Sequence, residues 1–188
     1  MNASRPHVLG VDDAPFEKGQ RAAVPIVGVM MEGADLVESV AIGSFAVDGH
    51  DATGFLSEWI SGLRSFASLQ AVFLGGITLA GLGTVDVAAL ATRLGVPVLS
   101  ATRRDPIGSR LDDALRAAGF DERLAITRAA PPAFRLLEGL FVSHAGIDRE
   151  GARRITRATL RKSNVPEPLR MAHLVARALV YGESRGRV

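Results

Sequence analysis

The change of hydrophobic period near residue 50 is the feature that most restricts the fold of this chain. Before it, three apolar runs at residues 7–12, 22–32 and 36–48 are separated by short turns. After it, apolar residues recur at helical spacing over 51–66, and helical and strand-like segments then alternate. Short turns are typical of antiparallel strands, whereas alternation with helices is typical of parallel strands. The sequence therefore predicts an α/β protein with a mixed sheet, three antiparallel strands followed by parallel strands, flanked by helices.

The rest of the chain adds further strands and helices to this sheet. No repeat, linker or low-complexity segment divides the chain, so residues 1–188 are predicted to form one domain. Residues 123–129 are interpreted as a weak strand or turn, and residues 134–146 as a strand pair or one long strand. The remaining predicted strands are 70–76 and 96–102, and the remaining predicted helices are 85–95, 108–118, 148–162 and 167–181.

Composition excludes several classes of protein. A chain of 188 residues with 47% hydrophobic residues has enough apolar side chains for a sizeable core. No apolar run approaches the roughly 18 residues of a membrane-spanning helix, which argues against a membrane protein. The chain has no cysteine, and its first residues lack the apolar core of a signal peptide. A cytoplasmic protein without disulfide or thiol chemistry is predicted.

Positive charge is concentrated in the C-terminal third of the chain. The net charge is only +2, but residues 149–187 contain ten arginines and lysines against three glutamates. This surface either contacts the phosphate backbone of nucleic acid or is simply solvated, and the sequence favours neither interpretation. The candidate nucleic-acid contacts are Arg154, Arg157, Arg161 and Lys162 in the first closing helix and Arg170, His173 and Arg177 in the second.

The basic residues of the last helix share one face. Arg170, His173 and Arg177 follow the spacing i, i+3 and i+7. A stripe of this kind can follow phosphates, but Arg170 is equally well explained as the buried partner of Asp13 or Glu167. Both interpretations remain open.

Two adjacent acids, Asp12 and Asp13, end the first apolar strand. A carboxylate there is costly to desolvate unless an arginine, a helix N-terminus or a metal ion meets it. Asp51 lies where the first helix begins, close to the predicted end of that strand. Converging carboxylates are the ligands that Mg²⁺ or Mn²⁺ prefers, so Asp12, Asp51 and Asp13 are the candidate metal ligands, and Asp12 and Asp51 candidate catalytic residues. For Asp51 alone, a helix N-cap is the favoured explanation.

His144 is the third candidate catalytic residue. It lies in "FVSHAGIDREG", at the end of a predicted strand and just before a helix. A histidine there can act as a general acid or base or as a metal ligand, although single histidines more often pack without such a role. Aromatic residues make up only 5% of the chain, which argues against a surface that stacks bases.

Four stretches of the chain carry a resemblance to a known family: "VLGVDDAPF", "VDGHDAT", "GGITLAGLGTVD" and "VPEPLRMAHLVA". Over nearly the whole chain, they resemble the domain of unknown function 99 family (UPF0215-like), which is related to endonuclease V in the ribonuclease-H-like fold. The resemblance therefore implies that fold.

The motifs of endonuclease V itself are matched mainly at the two ends of the chain. "GVD" resembles its first catalytic aspartate motif, carried here by Asp12, and "FVSHAGID" resembles its Ser-Pro-Gly-His stretch, which places an active-site histidine at His144. "PEPLRMAH" resembles its Pro-Glu-Pro-Thr-Arg-Leu-Ala-His segment. The resemblance implies a Mg²⁺-dependent endonuclease architecture that acts on nucleic acid near deaminated bases.

The departures from that pattern concern the acids. The Pro-Tyr-Ile-Pro wedge and the Phe-Arg-Glu motif of endonuclease V are missing, so Asp51 is only a positional substitute for its second acid. The third acid of that family belongs where "FLGGI" places Gly75, and Asp13 or Asp86 would have to compensate. The sequence therefore predicts a nucleic-acid-interacting protein with a weakened or lost metal site. The alternatives are an active Mg²⁺-dependent endonuclease on DNA or RNA, and a small-molecule or protein-binding module.

Overall fold

The computed structural model describes residues 5–17, 19–106 and 110–184. Within them lie nine strands and six α-helices, and most follow the predicted order. The strands are β1 (His7–Asp13), β2 (Ala23–Glu32), β3 (Leu36–Ala46), β4 (Ala71–Leu74), β5 (Thr78–Leu79), β6 (Gly83–Thr84), β7 (Val98–Thr102), β8 (Phe134–Leu137) and β9 (Leu140–Ala145). The helices are α1 (Ala52–Ser61), α2 (Val87–Leu94), α3 (Arg110–Ala117), α4 (Leu124–Ala129), α5 (Arg149–Ala158) and α6 (Glu167–Tyr181).

Seven of the strands form one mixed sheet in the order β3-β2-β1-β4-β7-β9-β8. β1, β2 and β3 pair antiparallel, and β1, β4 and β7 pair parallel. β9 is antiparallel to β7 and to β8. The short strands β5 and β6 pair with each other in a separate hairpin. The mixed sheet predicted from the sequence is therefore confirmed, and the 134–146 region is the strand pair rather than one long strand.

The prediction of a weak strand or turn over 123–129 is wrong. The segment is α4, preceded by a 3₁₀ helix at Asp121–Arg123. Tertiary contacts explain the difference, because the buried Arg123 guanidinium donates to the carbonyls of Leu82 at 2.8 Å and Asp48 at 2.9 Å. Local β propensity is weaker than such an anchor. Of the helix predicted over 108–118, the first two residues lie outside the described residues.

The pleat of β1 separates the two layers that cover the sheet. Leu9 and Val11 face the core shared with α1 and α2, whereas Val8 belongs to the core shared with α5 and α6. Gly10 lies on this second face, and a Cβ there would come within 2.2 Å of the Leu169 backbone nitrogen. Only glycine therefore lets α6 lie directly on β1. None of the described helices is long and apolar enough to cross a bilayer.

Candidate functional site

Asp12 is the last residue but one of β1 and lies on the face covered by α6. Its Oδ2 accepts a hydrogen bond from Nδ1 of His173 at 2.7 Å, and both side chains keep some contact with solvent. The close approach of α6 at Gly10 makes this contact possible across a separation of 161 residues. A carboxylate on Nδ1 orients the ring and leaves Nε2 as the free nitrogen. Asp12 is thus met by a histidine, and neither by Arg170 nor by a helix N-terminus.

Asp13 points to the opposite face, since successive strand side chains alternate. It lies with Leu56, Leu79 and Val85 around a small cavity of ≈ 120 Å³. Burial raises the pKa of Asp13 to about 6, and the charge of Asp12 adds to the rise, while backbone hydrogen bonds from Ala80 and Asp13 itself and the charge of His173 oppose it. The adjacent acids therefore have different chemistry.

Asp51 and Asp86 are helix caps. Asp51 accepts from the Gly54 N–H at 2.8 Å at the start of α1, and Asp86 accepts from the Ala89 N–H at 2.9 Å at the start of α2. The cap explanation of Asp51 is thus the one that the structure shows. Neither residue is among the described lining of the two cavities that Asp12 shares.

The structure does not gather the predicted metal ligands Asp12, Asp51 and Asp13 into one set. The side chains of Asp12 and Asp13 leave β1 on opposite faces, although both residues line the small cavity, and the cap bond holds Asp51 at α1. Among the described residues, no group of three or more histidine, cysteine, aspartate or glutamate side chains is placed to hold a metal ion. Within the described residues the three carboxylates do not form one cluster, and their role as metal ligands stays a prediction.

His144 does not join Asp12 either. It pairs with Leu99, so β4 and β7 lie between its strand and β1, a separation of about 14 Å across the sheet. Its Nδ1 donates to the Ile147 carbonyl at 2.9 Å, and its ring meets the edge of Phe134 at 5.9 Å. The histidine beside Asp12 is His173, which the sequence pattern had placed among the phosphate contacts.

Asp12 and His173 lie in an open cleft of ≈ 450 Å³ at the carboxyl ends of the parallel strands. Arg103 and Arg104, which directly follow β7, supply its positive charge. Neither arginine was predicted from the sequence. The available signal was their position, since residues just after parallel strands meet at one edge of a sheet. The other lining residues are Gly75, Ala101, Thr102, Val165 and Leu169.

Gly75 leaves a space beside Asp12. A Cβ built there would lie 3.6 Å from Asp12 Oδ1 and 3.9 Å from Leu169 Cδ1, which are ordinary contact distances. A side chain at residue 75 would therefore have room to begin beside Asp12. The cleft offers one carboxylate, already bonded to His173, and Mg²⁺ requires an oxygen-rich, near-octahedral set. The residues present do not fit a tightly held Mg²⁺ or Mn²⁺.

A second cavity of ≈ 760 Å³ adjoins the cleft and shares Gly75, Thr102 and Arg104 with it. The hydroxyl-bearing residues Ser100 and Ser143 line it and are nearly buried, at 5% and 6% exposure. Hydroxyls both donate and accept hydrogen bonds. Charged residues line the cavity as well, namely Arg104, Asp105, Arg110, Asp112 and Arg128, so it combines hydroxyl groups with charges of both signs.

The predicted phosphate contacts fall into two groups. Arg170 donates to the buried carboxylate of Glu167 at 2.7 and 2.8 Å, which confirms the alternative of a buried pair. Arg161 pairs with Asp35. Arg177 packs on Tyr181, and its buried Nε has no hydrogen-bond partner within the described part of the chain. Those that lie exposed on the surface are Arg154, Arg157 and Lys162.

Residues 4–180 match the endonuclease dU family. The chain is 38% identical over 183 residues to a UPF0215 protein of Thermococcus gammatolerans, covering 94% of this chain and 93% of that protein. It is 35% identical over 184 residues to a UPF0215 protein of Methanothermobacter thermautotrophicus, covering 95% and 90%.

Solved structures show the same fold. A protein of unknown function from Archaeoglobus fulgidus superposes with a TM-score of 0.85 at 30% identity, covering 94% of this chain and 99% of that one. Endonuclease V from Ciona intestinalis, in complex with inosine-containing DNA, superposes with a TM-score of 0.56 at 13% identity, covering 91% of this chain and 84% of that one. Endonuclease V from Bacillus subtilis superposes with a TM-score of 0.53 at 17% identity, covering 92% of this chain and 80% of that one. The sheet is thus the ribonuclease-H-like sheet of endonuclease V, and the chain belongs to the endonuclease dU family.

Proposed function

We propose that this protein binds nucleic acid at the Asp12 cleft and that its divalent-metal site is weakened or lost, so that cleavage is slow or absent. The observation that carries the proposal is Gly75. It leaves Asp12 without a second carboxylate at a position in the cleft where a side chain would have room to begin. The family supports nucleic acid as the partner.

The cleft suits a phosphate. Arg103 and Arg104 outweigh the single negative charge of Asp12, and His173 adds a donor when it is protonated. Guanidinium groups bind phosphate oxygens with paired hydrogen bonds, so a phosphodiester in the cleft needs no bridging cation. Asp12 then orients His173, whose Nε2 is free to donate to a phosphate oxygen.

The adjoining cavity suits the rest of a nucleotide. It opens from the cleft at Gly75 and Thr102, and Ser100 and Ser143 provide hydroxyls in its lining. A base turned out of its stack is recognised by hydrogen bonds within such a pocket. The name of the family and the inosine DNA bound by the Ciona enzyme make strands with deoxyuridine or inosine the first substrates to test.

The test compares binding and cleavage in the same protein. We would measure equilibrium binding of single-stranded and duplex oligonucleotides, with and without deoxyuridine or inosine, and then cleavage in Mg²⁺ and in Mn²⁺. The variants are Gly75→Asp, Gly75→Asn as its uncharged control, and Gly75→Asp combined with Asp12→Asn.

We expect the wild type to bind strands and to cleave them little. Gly75→Asp should gain metal binding detectable by calorimetry, and the added Asp12→Asn should abolish it, because two carboxylates are then reduced to one. Wild-type cleavage that requires Mg²⁺ and disappears in Asp12→Asn would instead establish the active endonuclease. A wild type that binds no strand would rule out the proposal.

A further inference from the structure

A cluster at the edge of the sheet holds two arginines against one aromatic ring. Phe134 begins β8, the edge strand farthest from β3. The Arg149 guanidinium lies 4.5 Å and that of Arg153 5.3 Å from the centre of the Phe134 ring. The two arginines are one turn apart on α5, and His144 meets the edge of the same ring at 5.9 Å.

No described acid neutralises this arginine pair. The neighbouring Asp148 carboxylate accepts the Gly151 N–H at 2.7 Å and so serves the helix, and Glu150 forms no ion pair with either arginine within residues 110–184. Contact with the ring face attracts each guanidinium, but it leaves two like charges side by side. An anion placed between them would remove that repulsion and gain charge-assisted hydrogen bonds from both.

The cluster lies on the same face and in the same row of the sheet as Asp12. Phe134 pairs with Val142, which pairs with Ala101, a lining residue of the cleft. Val11 pairs with Leu74, so Asp12 and Gly75 follow side by side at the other end of this row. Four strand spacings separate Asp12 from Phe134, or about 19 Å.

We propose that Phe134, Arg149 and Arg153 form a second phosphate-binding site, which holds the backbone of the same nucleic acid strand several nucleotides away from the Asp12 cleft. This inference rests on the proposed function. In a helically stacked strand, phosphates are about 3.4 Å apart along the axis, so about six nucleotides span the two sites, and an extended strand needs fewer. The cluster thus sets a minimum length for tight binding.

A polymer fits this surface better than a free phosphate. Arg154 and Arg157 on α5 are exposed next to the cluster, so positive charge extends beyond it along this helix. A single phosphate contacts one pair of guanidiniums, whereas a strand contacts the pair and its neighbours together. The binding gain then comes from counterion release and grows with the number of phosphates engaged.

The test is the salt dependence of strand binding in a charge-removing variant. The double variant Arg149→Gln and Arg153→Gln keeps the helix and removes both charges. We expect the slope of log affinity against log salt for a single strand of roughly twelve nucleotides to become shallower by about 1.4. A strand of roughly two nucleotides, too short to span both sites even when extended, should lose little.

Two matched variants control the result. Arg64→Gln with Arg93→Gln removes the same charge from exposed positions at the other side of the sheet and should keep the wild-type slope. Arg149→Lys with Arg153→Lys keeps the charge, and should keep the slope even if the glutamine variant folds poorly. Circular dichroism and thermal unfolding would report folding.

The outcomes separate this inference from the proposed function. An unchanged slope in the glutamine variant, or equal losses with short and long strands, would overturn the second site and leave the proposed function standing. Displacement of the long strand by millimolar inorganic phosphate would identify a free-anion site and overturn the assignment to a strand. If the wild type binds no strand at all, both proposals are wrong.

Discussion

Asp12 and Asp13 are neighbours on one strand, yet they lie in opposite environments. Asp12 faces an open cleft with His173 and two arginines, and Asp13 faces the apolar layer under α1, where burial raises its pKa to about 6. The composition around each acid is set by the layer that covers its face of the sheet. A pair of acids in a sequence is therefore one metal site only if the backbone turns both to the same side.

The largest expected effect comes from a substitution on the face of β1 that carries Asp12. Gly10→Ala places a Cβ 2.2 Å from the backbone of Leu169, which cannot move without shifting α6 off β1. We expect a loss of about 3 kcal/mol or more in the free energy of unfolding, at the upper end for overpacking. Chemical denaturation would measure it, and the imidazole signal of His173 in NMR would report loss of the contact with Asp12.

Gly43→Ala is the control for that prediction. A Cβ at Gly43 meets only side chains, at 3.0 Å from the Trp59 ring. Gly43→Ala should lower the free energy of unfolding less than Gly10→Ala does, and the NMR signal of His173 should not change. Equal costs would show that the approach of α6 to β1 is not specially limited by residue 10.

The pH dependence of stability tests the buried environment of Asp13. The pKa of Asp13 is about 6 in the folded state, against an ordinary value of 3.8. As pH rises, the Asp13 carboxyl group therefore stays protonated to a higher pH in the folded state than in the unfolded state. Stability should therefore be lost from about pH 4 through pH 6 and remain lower above that range. The corresponding decrease in the free energy of unfolding is at most about 3 kcal/mol.

Asp13→Asn removes this loss, because the amide stays neutral. Its unfolding free energy relative to wild type should rise between pH 4 and pH 7, with urea denaturation as the measurement. Asp113→Asn, at an exposed carboxylate, is the control and should show little change with pH. A difference between Asp13→Asn and wild type that is constant over this range would contradict burial as the cause.

The smallest effect is expected at the rim of the cleft. Arg103→Gln and Arg104→Gln each remove one cation, and each should weaken single-strand binding several-fold at low salt and reduce the salt slope by about 0.7. The measurement is a salt titration of strand affinity, with Arg93→Gln as the control. Unchanged slopes in both variants would place the strand away from the cleft.

Local patterns predicted much of this molecule. The change of period near residue 50 predicted the order of strands and helices, and the motifs around Asp12 and His173 predicted the family. The segment 123–129 was mispredicted because its helix depends on Arg123, whose partners Leu82 and Asp48 lie far away in the chain. Propensity has no access to such contacts.

The candidate site was predicted less completely than the fold. Arg103 and Arg104 had a signal, since they follow a predicted strand whose carboxyl end faces the site. Arg149 and Arg153 had none beyond their charge, because their contact with Phe134 depends on the packing of α5 against the edge of the sheet.

The sequence by itself determined which residues alternate on each strand, the approximate positions of most helices, and that residue 75 carries no carboxylate. Only the tertiary structure decided which residues meet. It placed His173 on Asp12, because Gly10 lets α6 touch β1, and it kept His144 away, because β4 and β7 lie between. Strand order and helix approach are set by packing across the whole sheet, and no local pattern contains that information.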